Sequence, residues 1–376
     1  EVLVQSIRVK PNAPITHSNV TKAQLEPRNL GQDLPILLNF LPSVVTTSDA
    51  GAGIGYTGIR VRGVSPLSTN ITINGIPYTD AESLGTFWVN LPDFSSSVES
   101  LQLQRGVGTS TNGSGAFGAS INILTDATSE KSSAEISNTF GSYNTRKHTV
   151  KFSTGKINDV FEVAGRLSQI KSDGYVDRAF SDLKSYFLQG TYNQNGTLIK
   201  ALVFGGHEKT YQSWFGLTQE EIDQNRQQNP YTYDNEIDNY KQDHYQLHWN
   251  QKIDQNWSTN LGLNYTFGRG YFEQFRTDDD VSTYGGIVEA TGVDSNGTPV
   301  TDLIRRRWLD NDYYVVNATA NYRDTELDLT FGGSYSSYDG DHFGEVIWAK
   351  QFAENASIRD QYYFGNGKKT DFSAFA

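Results

Sequence analysis

From about residue 134 onward, apolar and polar side chains alternate in long runs. Phe161, Val163 and Leu167 alternate with Glu162, Ala164, Arg166 and Ser168, and Tyr186, Leu188 and Tyr192 with Gln189 and Thr191. Tyr245, Leu247 and Trp249 alternate with His244, Gln246, His248 and Asn250. The same holds for Leu261, Leu263, Tyr265 and Phe267 against Asn260, Asn264 and Thr266, and for Leu327, Leu329 and Phe331 against Asp328 and Thr330. Successive side chains on a strand point to opposite faces, so each run predicts a strand with one apolar and one strongly polar face. A soluble sandwich alternates too, but its loops have no preferred side. Here short and long connections alternate. Tight turns are expected near Ile157-Asn158-Asp159, Asn195-Gly196, Ile253-Asp254-Gln255-Asn256 and Arg323-Asp324, with long connections at roughly 171–184, 208–241, 269–311 and 338–367 between them. Short turns on one rim and long loops on the other are the pattern of a transmembrane barrel. Tyr143, Trp249, Trp257, Tyr265, Phe267, Tyr313, Tyr314, Tyr322 and Tyr335 near strand ends fit its aromatic girdles. About ten strands are expected, the last beginning near Lys368. A half-barrel would leave an open edge in hydrocarbon, so further strands are expected in another chain or in a remainder of the protein beyond this sequence.

Residues 1–127 read differently from 128–376 and are expected to form a separate domain. Short strands, glycine turns and one helix over 31–42, with Pro35 and Pro42 near its ends, predict a small α/β core. An alternating strand through Val98, Leu101 and Leu103 runs into Arg105-Gly106. Glycines 106, 108, 113, 115 and 118 follow, then Ile121-Asn122-Ile123. Such glycines permit positive φ and close backbone approach. No Lys-Ser/Thr pair and no helix signal follow the loop, so it is not a phosphate cradle.

Composition narrows the function. Aromatic residues reach 12% of 376 residues while all hydrophobic types make up only 36%, a strand-and-turn profile. A net charge of −12 argues against a nucleic-acid partner, which needs a basic footprint. With no cysteine there is no disulfide scaffold, thiolate metal site or Cys nucleophile. With no methionine, the chain is expected to begin inside a longer precursor. No apolar run is long enough for a membrane helix, which leaves a barrel open. No catalytic constellation is present, so no enzyme activity and no cofactor are expected. His244 and His248 lie about 13 Å apart along a strand, too far to share a metal. Asp278-Asp279-Asp280 lacks EF-hand spacing and reads as a solvated loop. Arg305-Arg306-Arg307 reads either as a solvated charge run or as a basic spot for an anionic ligand or lipopolysaccharide phosphates.

The stretch 98–125 resembles the signature of the plug domain of TonB-dependent outer-membrane receptors. Ile59-Arg60-Val61-Arg62-Gly63 and Ile71-Thr72-Ile73-Asn74-Gly75-Ile76-Pro77 resemble two further plug elements in the right order, and Leu37 to Val44 resembles the opening one. The resemblance implies an antiparallel membrane β-barrel, 22-stranded in the family, with an N-terminal α/β plug. It implies import across the outer membrane of a Gram-negative bacterium, driven through the TonB protein, with a ferric siderophore as the expected ligand. Haem, cobalamin and oligosaccharide are alternatives, and a passive porin or adhesin is a weaker one.

Site residues follow from the resemblance. Glu1, Val2, Leu3, Val4 and Gln5 are expected to be the TonB box, a segment that pairs with a periplasmic partner by strand addition; an ordinary first plug strand is the alternative. Arg60, Arg62, Glu99 and Arg105 are expected to fasten the plug to the barrel wall through polar contacts, because an apolar interface would not rearrange reversibly in a wet lumen. Tyr78, Asp80, Glu82 and Trp88 are expected at an outward plug apex. Trp214, Phe215, Tyr271, Phe272 and Phe275 are expected on loops, packing on a ligand.

Overall fold

The computed structural model describes residues 8–9, 14–108 and 117–376. The Glu1–Gln5 segment and glycines 113 and 115 lie outside them.

The N-terminal part is built from β1 (His17–Thr21), α1 (Lys22–Leu25), α2 (Leu34–Leu37), β2 (Val44–Ser48), β3 (Thr57–Val61), β4 (Thr69–Ile73), β5 (Ile76–Pro77), β6 (Val98–Arg105) and β7 (Ala119–Thr125). Its main sheet has the order β1-β6-β7-β4-β5, with β4 and β7 parallel, while β2 and β3 form a separate hairpin. Leu101 and Leu103 of β6, Ile71 and Ile73 of β4, and Ile121 and Ile123 of β7 are buried together with Leu34, Leu37 and Leu38. The helix expected over 31–42 is a single α turn. Pro35 occupies its first turn, where a missing N–H costs nothing. Leu38 to Leu41 then continue as turns, Leu41 N donating to Leu38 O at 3.0 Å. Asn74 and Gly75 both take positive φ, 54° and 83°, the pattern of a tight hairpin turn.

The C-terminal part is one antiparallel sheet: β8 (Ser133–Gly141), β9 (Thr145–Ser153), β10 (Phe161–Ser172), β11 (Ser181–Gln194), β12 (Thr197–Tyr211), β13 (Ile237–Lys252), β14 (Trp257–Asp280), β16 (Pro299–Arg323), β17 (Asp328–Ala349) and β18 (Gln361–Phe375). A helix, α3 (Gln219–Gln224), lies in the β12–β13 loop, and a short β15 (Gly292–Val293) pairs beside β16. Each strand pairs with its neighbour in the chain, β15 aside. Leu247, Leu263 and Val316 are paired in register on three adjacent strands and all three are exposed. His244, Gln246, His248 and Asn250 are buried on the opposite face. That is the alternation of a lipid-facing barrel wall.

Two expectations fail in detail. The connections expected at 269–311 and 338–367 are mostly strand: only 281–298 lies between β14 and β16 and only 350–360 between β17 and β18, so that the last strand begins at Gln361 and not near Lys368. Twenty-four residues of β14 at about 3.3 Å each reach about 80 Å, far more than a membrane needs. Beyond the membrane both faces are wet, so the apolar alternation that marks a strand disappears and side-chain pairs hold the hairpin instead. Arg306 meets Glu273 at 2.8 Å, and Tyr271 packs on Trp308 at 4.7 Å. Asp278-Asp279-Asp280 therefore ends a strand. Asp279 accepts from Tyr284 at 2.6 Å and pairs with Arg276 at 3.1 Å. The arginines at 305–307 are likewise strand residues committed to local partners.

The second failure concerns the polarity of the inner face. Phe187, Leu202 and Phe204 point inward and belong to the same buried cluster as the plug core. The plug is thus seated partly on apolar wall, and not by polar contacts alone. Wall glycines allow the close approach: a Cβ on Gly206 would come within 2.5 Å of Asn90 O.

Candidate functional site

Two seams join the plug to the wall, with a cavity beside the second. The first seam centres on Asp93, held in a left-handed conformation (φ 52°) after Pro92. Its carboxylate lies 2.6 Å from Lys147 Nζ on β9 and 3.3 Å from Arg166 on β10. Thr149 and Ser168 of the same strands donate to it at 2.7 and 2.5 Å. Burial works against the charge of Asp93, but Arg166, Lys147 and these hydrogen bonds outweigh it and hold the carboxyl well below its usual range. Asp126, just after β7, pairs with Lys151 at 2.8 Å and Lys22 at 3.0 Å, and is held low by the same balance. Lys200 donates to Thr125 Oγ1 at 2.7 Å and Asp126 O at 2.8 Å.

The residues expected to fasten the plug sit elsewhere. Arg60 and Arg62 are exposed and Glu99 is half-buried, and none of them pairs within 4 Å with a wall residue among the described residues. Arg105 is buried, but it donates to Pro42 O at 3.1 Å and Ser18 Oγ at 3.0 Å, both within the plug. Sequence reasoning looked for charges on plug strands. The signal it missed was inward-facing cations, Lys147, Lys151 and Arg166, on strands whose alternation was already clear.

The second seam is made by the residues after the β4–β5 turn. Asn317 donates to Gly75 O at 2.8 Å, and Lys369 to Ala81 O at 2.7 Å. Glu82 accepts from Tyr338 at 2.9 Å and lies 2.8 Å from His342 Nε2. Beside this seam is a cavity of 540 Å³ between plug and wall. Tyr78 and Asp80 border it from the plug; Trp214, Tyr271 and Phe272 border it from the wall and loop. Tyr78 lies 3.4 Å from Gln242 and its ring is 5.4 Å from His244, which stacks on Phe204 at 4.6 Å. Burial pushes the Tyr78 phenol up, so it remains a donor. The Tyr56 phenol is pushed well above its usual range by burial and by Glu208 and Asp238, and donates to Asp238.

Other expected ligand residues are not brought to this cavity. Trp88 is 3% exposed and is part of the plug core, because the 3-10 turn Trp88–Asn90 faces it inward. Phe215 is exposed and packs edge-on against Tyr231 at 5.9 Å. Phe275 is on β14, against Tyr233 and Trp348, beside a separate cleft. Glu82 stands at the seam and is engaged there. Tyr271 and Phe272, which do border the cavity, are strand residues, not loop residues, and the Tyr271 ring packs tilted against Trp308. The cavity also recruits Tyr240, Trp308, Tyr313, Tyr338 and Tyr363, which the sequence did not single out. Its described lining carries Asp49, Asp80, Glu208 and Asp238, with Arg307 as the one Lys or Arg.

The fold and the two seams define an outer-membrane type of β-barrel wall occluded by an N-terminal plug. No helix among the described residues is long and apolar enough to cross a membrane, which says nothing about a barrel. Residues 10–120 match the TonB-dependent Receptor Plug Domain. Over those residues the chain has the plug domain of TonB-dependent receptors, and over the sheet that follows it has the fold of part of the barrel of such Gram-negative outer-membrane proteins. It is 30% identical over 158 residues to the vitamin B12 transporter BtuB of Vibrio vulnificus, across 42% of this chain and 25% of that protein. It is 27% identical over 187 residues to the probable TonB-dependent siderophore receptor PirA of Acinetobacter baumannii, across 47% and 22%. The crystal structure of the siderophore receptor PiuA from Acinetobacter baumannii superposes with a TM-score of 0.64 at 13% identity, covering 98% of this chain and 56% of that one. The copper transporter OprC gives 0.69 at 12% identity, covering 95% and 51%. The chain thus spans about a quarter of the curated relatives it matches and about half of these solved structures.

Proposed function

We propose that the protein imports a scarce ligand across the outer membrane, energised through TonB, and that the cavity between the plug and the wall captures that ligand. The observation that carries this reading is the 540 Å³ cavity walled by plug residues and barrel residues together. A ligand held there touches the element that must move for it to pass. Ligand sites are mostly apolar with a few placed polar groups, and Tyr78, Tyr240, Phe272 and Trp214 beside Asp80 and Gln242 fit that description. The Glu1–Gln5 segment would transmit the pull, and the Asp93 and Asp126 ion pairs would be the contacts that must break.

A ferric siderophore is the proposed ligand, supported by the siderophore-receptor relatives. With Arg307 as the one Lys or Arg of the described lining and Asp80 among its acids, the cavity favours a chelate without net negative charge. Cobalamin is the second reading, favoured by the likeness to a vitamin B12 transporter. The test is uptake by cells that carry the full-length receptor, with and without functional TonB. Accumulation of a neutral or cationic ferric chelate that requires TonB is expected. TonB-dependent accumulation of cobalamin alone would shift the substrate assignment, and uptake indifferent to TonB would overturn the transport reading.

A further inference from the structure

The cavity holds a buried carboxylate without a counter-charge. Glu208 on β12 is 1% exposed and lines the cavity. Its Oε2 accepts from Thr210 Oγ1 at 3.2 Å, and no described residue donates to Oε1. Thr210 pairs in register with Asp238 on β13, and Glu208 with Tyr240. The two carboxylates are therefore diagonal neighbours on the inner face, about 7 Å apart along the backbone ladder. Asp238 is already engaged, because Tyr56 of the plug donates to it.

Rings stand around the same place. Phe272 pairs in register with Asp238. Trp214 packs edge-on against Tyr56 at 5.3 Å and against Phe272 at 5.7 Å. The titratable groups facing Glu208 are Asp238, Asp33 ahead of α2, Tyr56 and Tyr78, and none of them is a cation. Arg307 lies over the Phe272 ring at 5.3 Å and makes no ion pair within 4 Å with a described carboxylate. Both acids lie beyond the apolar belt. Val203, five residues before Glu208, pairs with Tyr245, which stacks with Tyr265 and through it with Tyr314 as an aromatic girdle. Burial and the nearby Asp238 push the Glu208 carboxyl well above its usual range, so the empty site holds a proton there.

We propose that Glu208, with the rings of Tyr56, Trp214 and Phe272, is a subsite for an ammonium group of the captured ligand, which displaces a proton from the Glu208 carboxyl into water as it binds. The proposal rests on capture in this cavity. An ammonium donates to the free Oε1 while ring faces attract its charge. A neutral group leaves Glu208 protonated and gains neither contact. A bare metal ion would need more oxygen ligands than Glu208 alone offers.

The test is equilibrium binding of benzylammonium and of benzyl alcohol, its neutral counterpart, to the purified full-length receptor. Benzylammonium held about tenfold tighter than benzyl alcohol is expected. Its affinity should strengthen as the medium is taken from about pH 6 to about pH 8, because binding releases a proton, while that of benzyl alcohol stays level. Glu208→Gln should remove the preference and the pH dependence and leave benzyl alcohol unchanged. Asp339→Asn, at an exposed carboxylate of β17 outside the cavity, should change neither. Equal affinity of wild type for the two probes would overturn the subsite, as would benzylammonium binding indifferent to pH or to Glu208→Gln. The wild-type pH profile decides the matter even where the variant does not fold. Neither iron nor TonB enters this measurement, so the subsite and the transport reading fail separately.

Discussion

The carboxylate of Asp93 in the plug lies 2.6 Å from the ammonium of Lys147 in the wall, and both side chains are almost completely buried, at 0% and 3% exposure. An ion pair so far from water is a poor source of net stability but is costly to break on one side. Asp93→Asn should therefore loosen the plug by on the order of 3–5 kcal/mol. Hydrogen exchange of plug amides in the full-length receptor measures this, and a cycle with Lys147→Met should show strong coupling. Exchange that is unchanged in Asp93→Asn would mean the first seam carries no load.

The same seam should respond to acid. Asp93 and Asp126 both titrate below their unfolded values, so their contribution is complete above about pH 4 and is lost as pH falls through the folded-state values. Protection of plug amides, relative to their intrinsic exchange rate at each pH, should fall as the medium is taken below about pH 4, and less so in Asp93→Asn. A plug equally protected at pH 7 and at the lowest pH the barrel survives would contradict the assignment.

Leu263 is exposed toward lipid, paired with Val316, which pairs in turn with Tyr335. Leu263→Arg should cost about 2–4 kcal/mol of folding stability in a bilayer. Ser334, one residue from Tyr335 and half-buried on the lumen face, should accept arginine with a much smaller loss. Equal penalties at both sites would put the membrane on the wrong face. Asn264 would be a misleading control, because it is buried beneath the plug.

The strand addition proposed for Glu1–Gln5 would depend on backbone donors. Val2→Pro removes one and should abolish uptake while leaving ligand affinity unchanged. Uptake that persists in this variant would place the coupling segment elsewhere.

Much of this architecture was legible in the residues. Period-two alternation assigned Leu247 and Leu263 to one face and His244 and His248 to the other, because lipid on one side and plug on the other impose opposite polarities. The same logic was blind at Phe187, Leu202 and Phe204, where the plug presents an apolar patch and both faces of the strand become apolar. It also failed where strands leave the membrane, so Phe272 and Phe275 were read as loop. Trp88 sits in an irregular segment, where its facing is set by the 3-10 turn that it begins, not by any periodicity. Asp93 pairs with residues more than fifty positions away, a partnership that only closure of the sheet around the plug creates.

The central claim is that ligand is captured between plug and wall. Equilibrium binding to the purified full-length receptor tests it most directly, comparing wild type with a Trp214→Ala, Phe272→Ala variant. Those rings pack at 5.7 Å at the cavity's edge and are not part of the plug core. Saturable binding of a ferric chelate, weakened at least about tenfold by the paired substitution, is predicted. Saturable binding with the same affinity in wild type and variant would contradict capture in this cavity.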